Sequence, residues 1–182
     1  AIELMTPALA GRDPGDFDGA MAAMNARLYG NTGAKAAIEM ALHDLIGRAT
    51  GQPVHALLGR KIRDRMTLLG VVGGGDHDGD LADAASKKAE GYTAFKIKVG
   101  IDSAANDAVR TRGICKVLGT GLLISADANQ GFGVDEAQDY VRAVNGCGLD
   151  FFEQPVAAHD LAGMAAVAGA ADGIAIGADE VI

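Results

Sequence analysis

The sequence is short of positive charge, of cysteine and of long apolar runs, and each shortage excludes something. Sixteen lysines and arginines face 24 aspartates and glutamates, leaving a formal net charge of −8 and a pI near 4.8. So acidic a chain repels a polyanion, and non-specific nucleic-acid binding is not expected. No apolar run approaches the roughly 18 residues that a membrane span needs. The opening AIELMTPALA has no basic stretch ahead of an apolar core, so it is no secretory signal, and a cytoplasmic location is expected. It also lacks an initiator Met, so the chain is expected to begin inside a longer one. Cys115 and Cys147, 32 residues apart, match no metal or redox spacing and read as buried free thiols in a reducing compartment.

Several motifs are missing too. There is no Gly-x-Ser-x-Gly, so a serine hydrolase has no support. The run VVGGGD at 71–76 fits neither Gly-x-Gly-x-x-Gly nor a Walker A pattern, and reads as a flexible loop after a strand. His43, His55, His77 and His159 are scattered without metal-ligand spacing, and His43 is expected on the exposed or capping side of its helix.

What is present is the composition of a packed α/β protein: 49% hydrophobic residues, mostly Ala, Leu, Val and Ile, with 26 glycines. The first 60 or so residues read as helical. Asp13-Pro14 looks like a cap and first turn, followed by Phe17, Met21, Met24 and Leu28 at helical spacing. Asn31-Thr32 can cap a second helix with the stripe Ala34, Ile38, Ala41, Leu45 and Ala49, stopped by Gly51.

From about residue 63 the texture changes to short β-like runs alternating with helical ones, which predicts βαβ units around a parallel sheet. A polar residue recurs at the carboxyl end of each strand. Lys98 to Asp127 is 29 residues, Asp127 to Glu153 is 26, and Glu153 to Asp179 is 26. In an open doubly wound sheet ligand groups gather at one switch point, whereas in a (β/α)8 barrel every strand end faces one mouth. Even spacing favours the barrel. The expected fold is therefore α/β, a partial (β/α)8-type barrel of about five βα units over 63–182. A separate helical stretch over 1–62 precedes it. Five strands close no eight-stranded barrel, and an uncovered apolar edge is a liability, so the chain is expected to continue past Ile182.

The string FKIKVG at 95–100 turns Phe95, Ile97 and Val99 to one face and Lys96 and Lys98 to the other. The next strands end in Asp127 and Asn129, in Glu153, and in Asp179 followed by Glu180. Taken singly, an acid after a strand is ordinarily a helix cap or a solvated charge. Three at corresponding positions beside paired lysines read as one site. Such carboxylates repel unless a cation joins them, and oxygen-only ligands suit Mg²⁺ or Mn²⁺ rather than zinc. Three carboxylates, a dication and two lysines sum to +1, which invites a substrate carboxylate. Loss of the proton on the adjacent carbon would give an enolate that the cation stabilises. A lysine base must be neutral, and a second ammonium with a nearby dication is expected to push its pKa down.

Lys96-x-Lys98, Asp127-Ala-Asn129, Glu153-Gln154-Pro155 and Asp179-Glu180 together resemble the enolase superfamily, in particular its muconate lactonizing enzyme group, which includes dipeptide epimerases. The stretch from Tyr29 to Gly59 also looks like that family's link between lid domain and barrel, which implies that 1–62 is a helical piece of its capping (lid) domain. The resemblance implies Asp127, Glu153 and Asp179 as Mg²⁺ ligands and Lys98 as general base. It implies Lys96 as the group polarising the substrate carboxylate, with Asn129 and Glu180 standing behind the ligands. Mandelate racemase proper is similar but carries His where Lys98 stands, which argues against that subgroup. An N-terminal strand region with specificity loops, and strands six to eight with the opposite-face lysine, have no counterpart here.

The implied function is metal-dependent abstraction of the proton α to a carboxylate. It would give racemisation or epimerisation of an amino-acid derivative, or cycloisomerisation. A dehydratase of the same superfamily is the nearest rival, and a catalytically incomplete fragment is the rival from another class. The expected partners are a small carboxylate substrate and further copies of the chain, with no membrane or nucleic acid.

Overall fold

The structure, a computed structural model, describes residues 1–74 and 76–182. The chain divides into two units, Ala1–Arg65 and Met66–Ile182.

The first unit is helical: α1 (Ile2–Leu9), α2 (Phe17–Arg27), α3 (Thr32–Thr50) and α4 (Val54–Leu58). The α2 start differs from the expectation. Asp16, not Asp13, caps it, accepting the Gly19 N–H at 3.0 Å. Asp13 instead accepts from Gly15 at 2.9 Å and closes the turn before the helix. Asn31 precedes α3 but makes no side-chain cap; its amide donates to the Tyr29 carbonyl. Gly51 does end the helix, in the left-handed region at φ 67°.

The buried face of α3 also falls one position from the expected stripe. It runs through Lys35, Ile38, Leu42, His43 and Ile46, while Ala41, Leu45 and Ala49 are exposed. His43 is therefore not on the exposed side. Its ring stacks on Phe17 with centroids 3.9 Å apart and planes 8° from parallel. Its Nδ1 lies 2.9 Å from the Glu39 carbonyl, so the face an imidazole presents to the core is its flat apolar one.

The second unit alternates strictly: β1 (Leu69–Val72), α5 (His77–Ala89), β2 (Ala94–Lys98), α6 (Ala104–Leu118), β3 (Leu123–Asp127), α7 (Val134–Ala143), β4 (Phe151–Glu153), α8 (Leu161–Ala170) and β5 (Ala175–Gly177). All neighbours are parallel and the spatial order is β1-β2-β3-β4-β5. A doubly wound sheet would reverse its order at a switch point. A strictly sequential order is the winding of a barrel wall.

Ser103 caps α6 and Asp160 caps α8, accepting from Asn106 and Gly163. One side of the sheet is dry: Val72, Phe95, Ile97, Ile124, Ala126 and Phe152 pack against Ala84, Ile114, Tyr140, Val141 and Val167 of the helices. On the other side Leu69, Val71 and Leu123 are 43%, 45% and 48% exposed, and this open side carries the lysines. The expected loop at 71–76 includes Gly75, outside the described residues. Among the described ones, Gly73 sits at φ +147°, where an added Cβ would lie 2.6 Å from the Lys98 Cβ. That glycine is needed for clearance beside Lys98.

Candidate active site

Parallel pairing fixes the geometry. Lys98 is in register with Asp127, Asp127 with Glu153, and Glu153 with Gly177. Residues in register on parallel strands project to the same face, so Lys98, Asp127 and Glu153 form a row at the carboxyl ends of β2, β3 and β4. Lys96 lies one pleat below. This is the end of the sheet where barrels place their chemistry.

The Asp127 carboxylate is the centre of the cluster, with its side chain only 2% exposed. Its Oδ2 receives the Lys98 ammonium at 2.7 Å and lies 3.3 Å from that of Lys96, while its Oδ1 accepts the Asn129 N–H at 3.0 Å. Lys96 donates to Glu153 Oε1 at 2.8 Å. Lys98 donates in addition to Asn129 Oδ1 at 2.6 Å, and Asn129 Nδ2 donates to Glu180 Oε1 at 3.1 Å. Asn129, at φ 42° in the turn after β3, can reach back to Lys98 because asparagine tolerates the left-handed region. Six of the seven expected site residues are thus joined by hydrogen bonds. Asp179 is the exception: it is exposed, two residues past β5.

The electrostatics differ in one respect from the expectation. Burial alone would raise the Asp127 carboxyl, but the Lys98 hydrogen bond, the Asn129 N–H and both ammonium charges hold it below the ordinary range. Burial likewise favours a neutral Lys96, yet the hydrogen bond to Glu153 and the charges of Asp127 and Glu153 hold this ammonium above the ordinary lysine value. The downward push expected on the base lysine was that of a second ammonium and a dication together; among the protein's own charges, Lys96 is held upward. Carboxylates at ion-pair distance outweigh the second ammonium.

The donor set suits a hard divalent cation, being all carboxylate oxygen at the ends of adjacent strands. Asp127 and Glu153 already share one cation, the Lys96 ammonium. Among the described residues no three Asp, Glu, His or Cys side chains are gathered closely enough to hold a metal ion, consistent with an exposed Asp179.

Two supports were not legible in the sequence. Gln154, fully buried at φ 35°, accepts the N–H groups of Asp179 at 3.0 Å and Val181 at 3.3 Å through Oε1. It also donates to the Val156 carbonyl at 2.9 Å, so one side chain ties the Asp179 segment to the end of β4. Arg110 and Asp107 of α6 form the other. Arg110 Nη2 donates to Asp107 Oδ1 at 2.6 Å and to the Lys98 carbonyl at 2.8 Å, and Asp107 Oδ2 accepts the Gly100 N–H at 2.6 Å. A polar pair inside an amphipathic helix gives no sequence signal of this kind. A cavity of about 370 Å³ lined by Met66, Thr67, Leu68, Glu90, Gly91, Tyr92 and Thr93 lies at the amino ends of β1 and β2, the wrong end for this chemistry.

A sequentially wound parallel sheet with lysines and acids at its strand ends defines a (β/α)-barrel enzyme wall of the enolase type. The chain belongs to the mandelate racemase / muconate lactonizing enzyme family: residues 2–59 match the family's N-terminal domain, and residues 80–182 match the enolase C-terminal domain-like model. It is 35% identical over 171 residues to the L-Ala-D/L-Glu epimerase of Bacillus subtilis, covering 93% of this chain and 46% of that protein. It is 32% identical over 153 residues to the chloromuconate cycloisomerase CbnB of Cupriavidus necator, covering 84% and 41%. It superposes on the crystal structure of the Cytophaga hutchinsonii dipeptide epimerase complexed with Mg and the dipeptide D-Ala-L-Val. The TM-score there is 0.87 at 29% identity, covering 100% of this chain and 49% of that one. Relatives named as a racemase and a dehydratase match as well. The chain spans about half the length of the curated relatives it matches. Among the described residues no helix is long and apolar enough to cross a membrane.

Proposed function

We propose that this chain supplies the base-bearing half of an enolase-superfamily active site that removes the proton α to a carboxylate. The observation that carries the reading is the convergence of the Lys96 and Lys98 ammonium groups on the Asp127 carboxylate at the carboxyl ends of β2 and β3.

Asp127, Glu153 and Asp179 would hold the divalent cation, Mg²⁺ or Mn²⁺. When bound, such an ion supplies Lewis-acid stabilisation of the charge that develops on the substrate carboxylate. The two lysines divide the remaining work. Lys96, pinned between Glu153 and Asp127 and favoured as a cation, presents a fixed positive charge to the substrate. Lys98, the more exposed of the two, stands nearer the mouth and takes the α-proton in its neutral form. The ammonium so formed is received by Asp127 Oδ2 and Asn129 Oδ1, both already within hydrogen-bond distance. Glu180 holds Asn129 from behind.

The substrate class is an amino-acid derivative such as a dipeptide or N-acyl amino acid, and the outcome is epimerisation or racemisation. The epimerases among the relatives support this reading. Cycloisomerisation is the alternative outcome on the same machinery. A dehydration is the second reading, favoured by 37% identity over 160 residues to a cis-3-hydroxy-L-proline dehydratase.

The test is exchange of the α-proton in D₂O by the complete protein, followed by proton NMR with dipeptides and N-acyl amino acids. The reading expects exchange that needs Mg²⁺ or Mn²⁺. Failure with every such substrate while a hydroxy acid loses water would favour the dehydratase. Failure with both classes would favour a catalytically incomplete chain.

A further inference from the structure

Cys115 and Cys147 are far apart in sequence, and their spacing gives no reason to pair them. The fold nevertheless brings their sulfurs to 3.5 Å. Cys115 lies in the last turn of α6 and is 3% exposed. Cys147 is half-buried, in the connection from α7 to β4. Both are free thiols. The approach follows from packing: α6 and α7 are neighbours around the sheet, so the end of one helix meets the turn leaving the next.

The surroundings of the two sulfurs differ. Cys147 opens on a cavity of about 330 Å³ whose other lining residues are Arg112, Gly113 and Lys116. Two of the three carry positive charge. The Arg112 guanidinium is fixed there, donating to the Ala143 carbonyl at 3.0 Å and the Asn145 carbonyl at 3.2 Å. A half-buried thiol beside a fixed guanidinium and a lysine is the setting of a reactive cysteine, and a buried neighbour at contact distance is the setting of its resolving partner.

We infer that Cys147 and Cys115 form an oxidation site in which a small peroxide attacks at Cys147 and Cys115 closes a reversible disulfide. The Cys147 thiolate displaces hydroxide from hydrogen peroxide. The O–O bond breaks, an S–O bond forms, and hydroxide leaves to become water. The Cys115 sulfur then attacks the Cys147 sulfenic acid, the S–O bond breaks, and the hydroxyl departs as a second water with the Cys115 proton. Two thiols are oxidised and one peroxide is reduced to two waters.

The ionisation pattern agrees. The hydrogen bond from Cys115 draws the Cys147 thiol down to about 7, helped by the Leu149 N–H and the Arg112 charge. Accepting no such help, Cys115 is pushed up by its neighbour and by burial and keeps its proton. The closed bond would tie the end of α6 to the turn leaving α7, at the end of the sheet remote from Lys98. It would act as a staple on the barrel wall and leave the lysine–carboxylate cluster unaltered.

The test treats the complete native protein, at low concentration, with stoichiometric hydrogen peroxide. Thiols are counted, and tryptic peptides are mapped before and after dithiothreitol. The inference expects the loss of two thiols per chain, a peptide joining Cys115 to Cys147, full recovery on reduction, and a melting temperature raised by several degrees. In Cys115→Ala, dimedone should label Cys147. In Cys147→Ser, Cys115 should resist both peroxide and dimedone. Because Cys115→Ala could unfold the core, Cys147→Ser and the wild-type mapping decide independently. Retained thiols, links only between chains, or a Cys115 that oxidises in Cys147→Ser would overturn it.

Discussion

Arg110, on the second helix of the βα series, donates through Nη2 to the main-chain carbonyl of Lys98 at 2.8 Å. The proposed base is thus held from the helix side as well as from the mouth. The same guanidinium pairs with Asp107, whose other oxygen accepts the Gly100 N–H at 2.6 Å and the Ile101 N–H at 3.3 Å. The ion pair acts as a bracket on the chain immediately after β2. Its two side chains are 5% and 1% exposed, so its energetics are those of a buried pair.

Breaking a buried pair leaves an uncompensated charge, at a cost of about 3–5 kcal/mol. Arg110→Met should lower stability by that order in urea denaturation. The double variant Arg110→Met/Asp107→Leu should regain only part of it, because the buried Asp80 carboxylate, 3.4 Å from Arg110 Nη1, loses its cation as well, and it should not regain α-proton exchange, because the bracket on Lys98 is gone. Full recovery of exchange in the double variant would refute a positioning role.

Lys98→Ala in the complete protein should reduce exchange from one substrate enantiomer by about 10²–10⁴-fold, with divalent-ion binding largely intact. Lys98→Arg should be as inactive, since an arginine that pairs with Asp127 does not give up its proton. Deuterium incorporation measured separately for each enantiomer checks both variants.

Gln154→Ala would leave the Asp179 and Val181 N–H groups without their acceptor. A loss of about 0.5–1.5 kcal/mol per hydrogen bond is expected, together with faster hydrogen exchange at those two amides. Unchanged exchange there would show that the Asp179 segment is held by something else.

Cys147 should titrate early. A lowered pKa means that thiolate is already abundant at lower pH, so its alkylation by iodoacetamide should rise through a midpoint of about 7. An ordinary cysteine rises near 8.5. Arg112→Met should move the midpoint upward.

The strands were legible because parallel strands buried against helices alternate short apolar runs with helical ones. Phe95, Ile97 and Val99 are each buried, with the lysines between them turned to the open side. The row of Lys98, Asp127 and Glu153 was legible because each βα unit has nearly the same length, so strand ends recur at nearly constant spacing. The face of α3 was not. An alanine-rich helix has little hydropathy contrast around its circumference, and both a lysine and a histidine turned inward, Lys35 onto Asn25 and His43 onto Phe17. Gln154, Arg110 and the Cys115–Cys147 contact were hidden for a common reason. Each depends on a neighbour set by tertiary packing rather than by spacing along the chain.

The most direct test of the metal–lysine site is a Mg²⁺ titration of the complete protein by isothermal calorimetry, run in parallel on Asp127→Asn, Glu153→Gln and Asp179→Asn. One ion per chain is expected, with affinity falling about tenfold or more in each variant. A wild-type protein that takes up no divalent cation, or three variants that bind it as tightly as the wild type, would contradict the assignment.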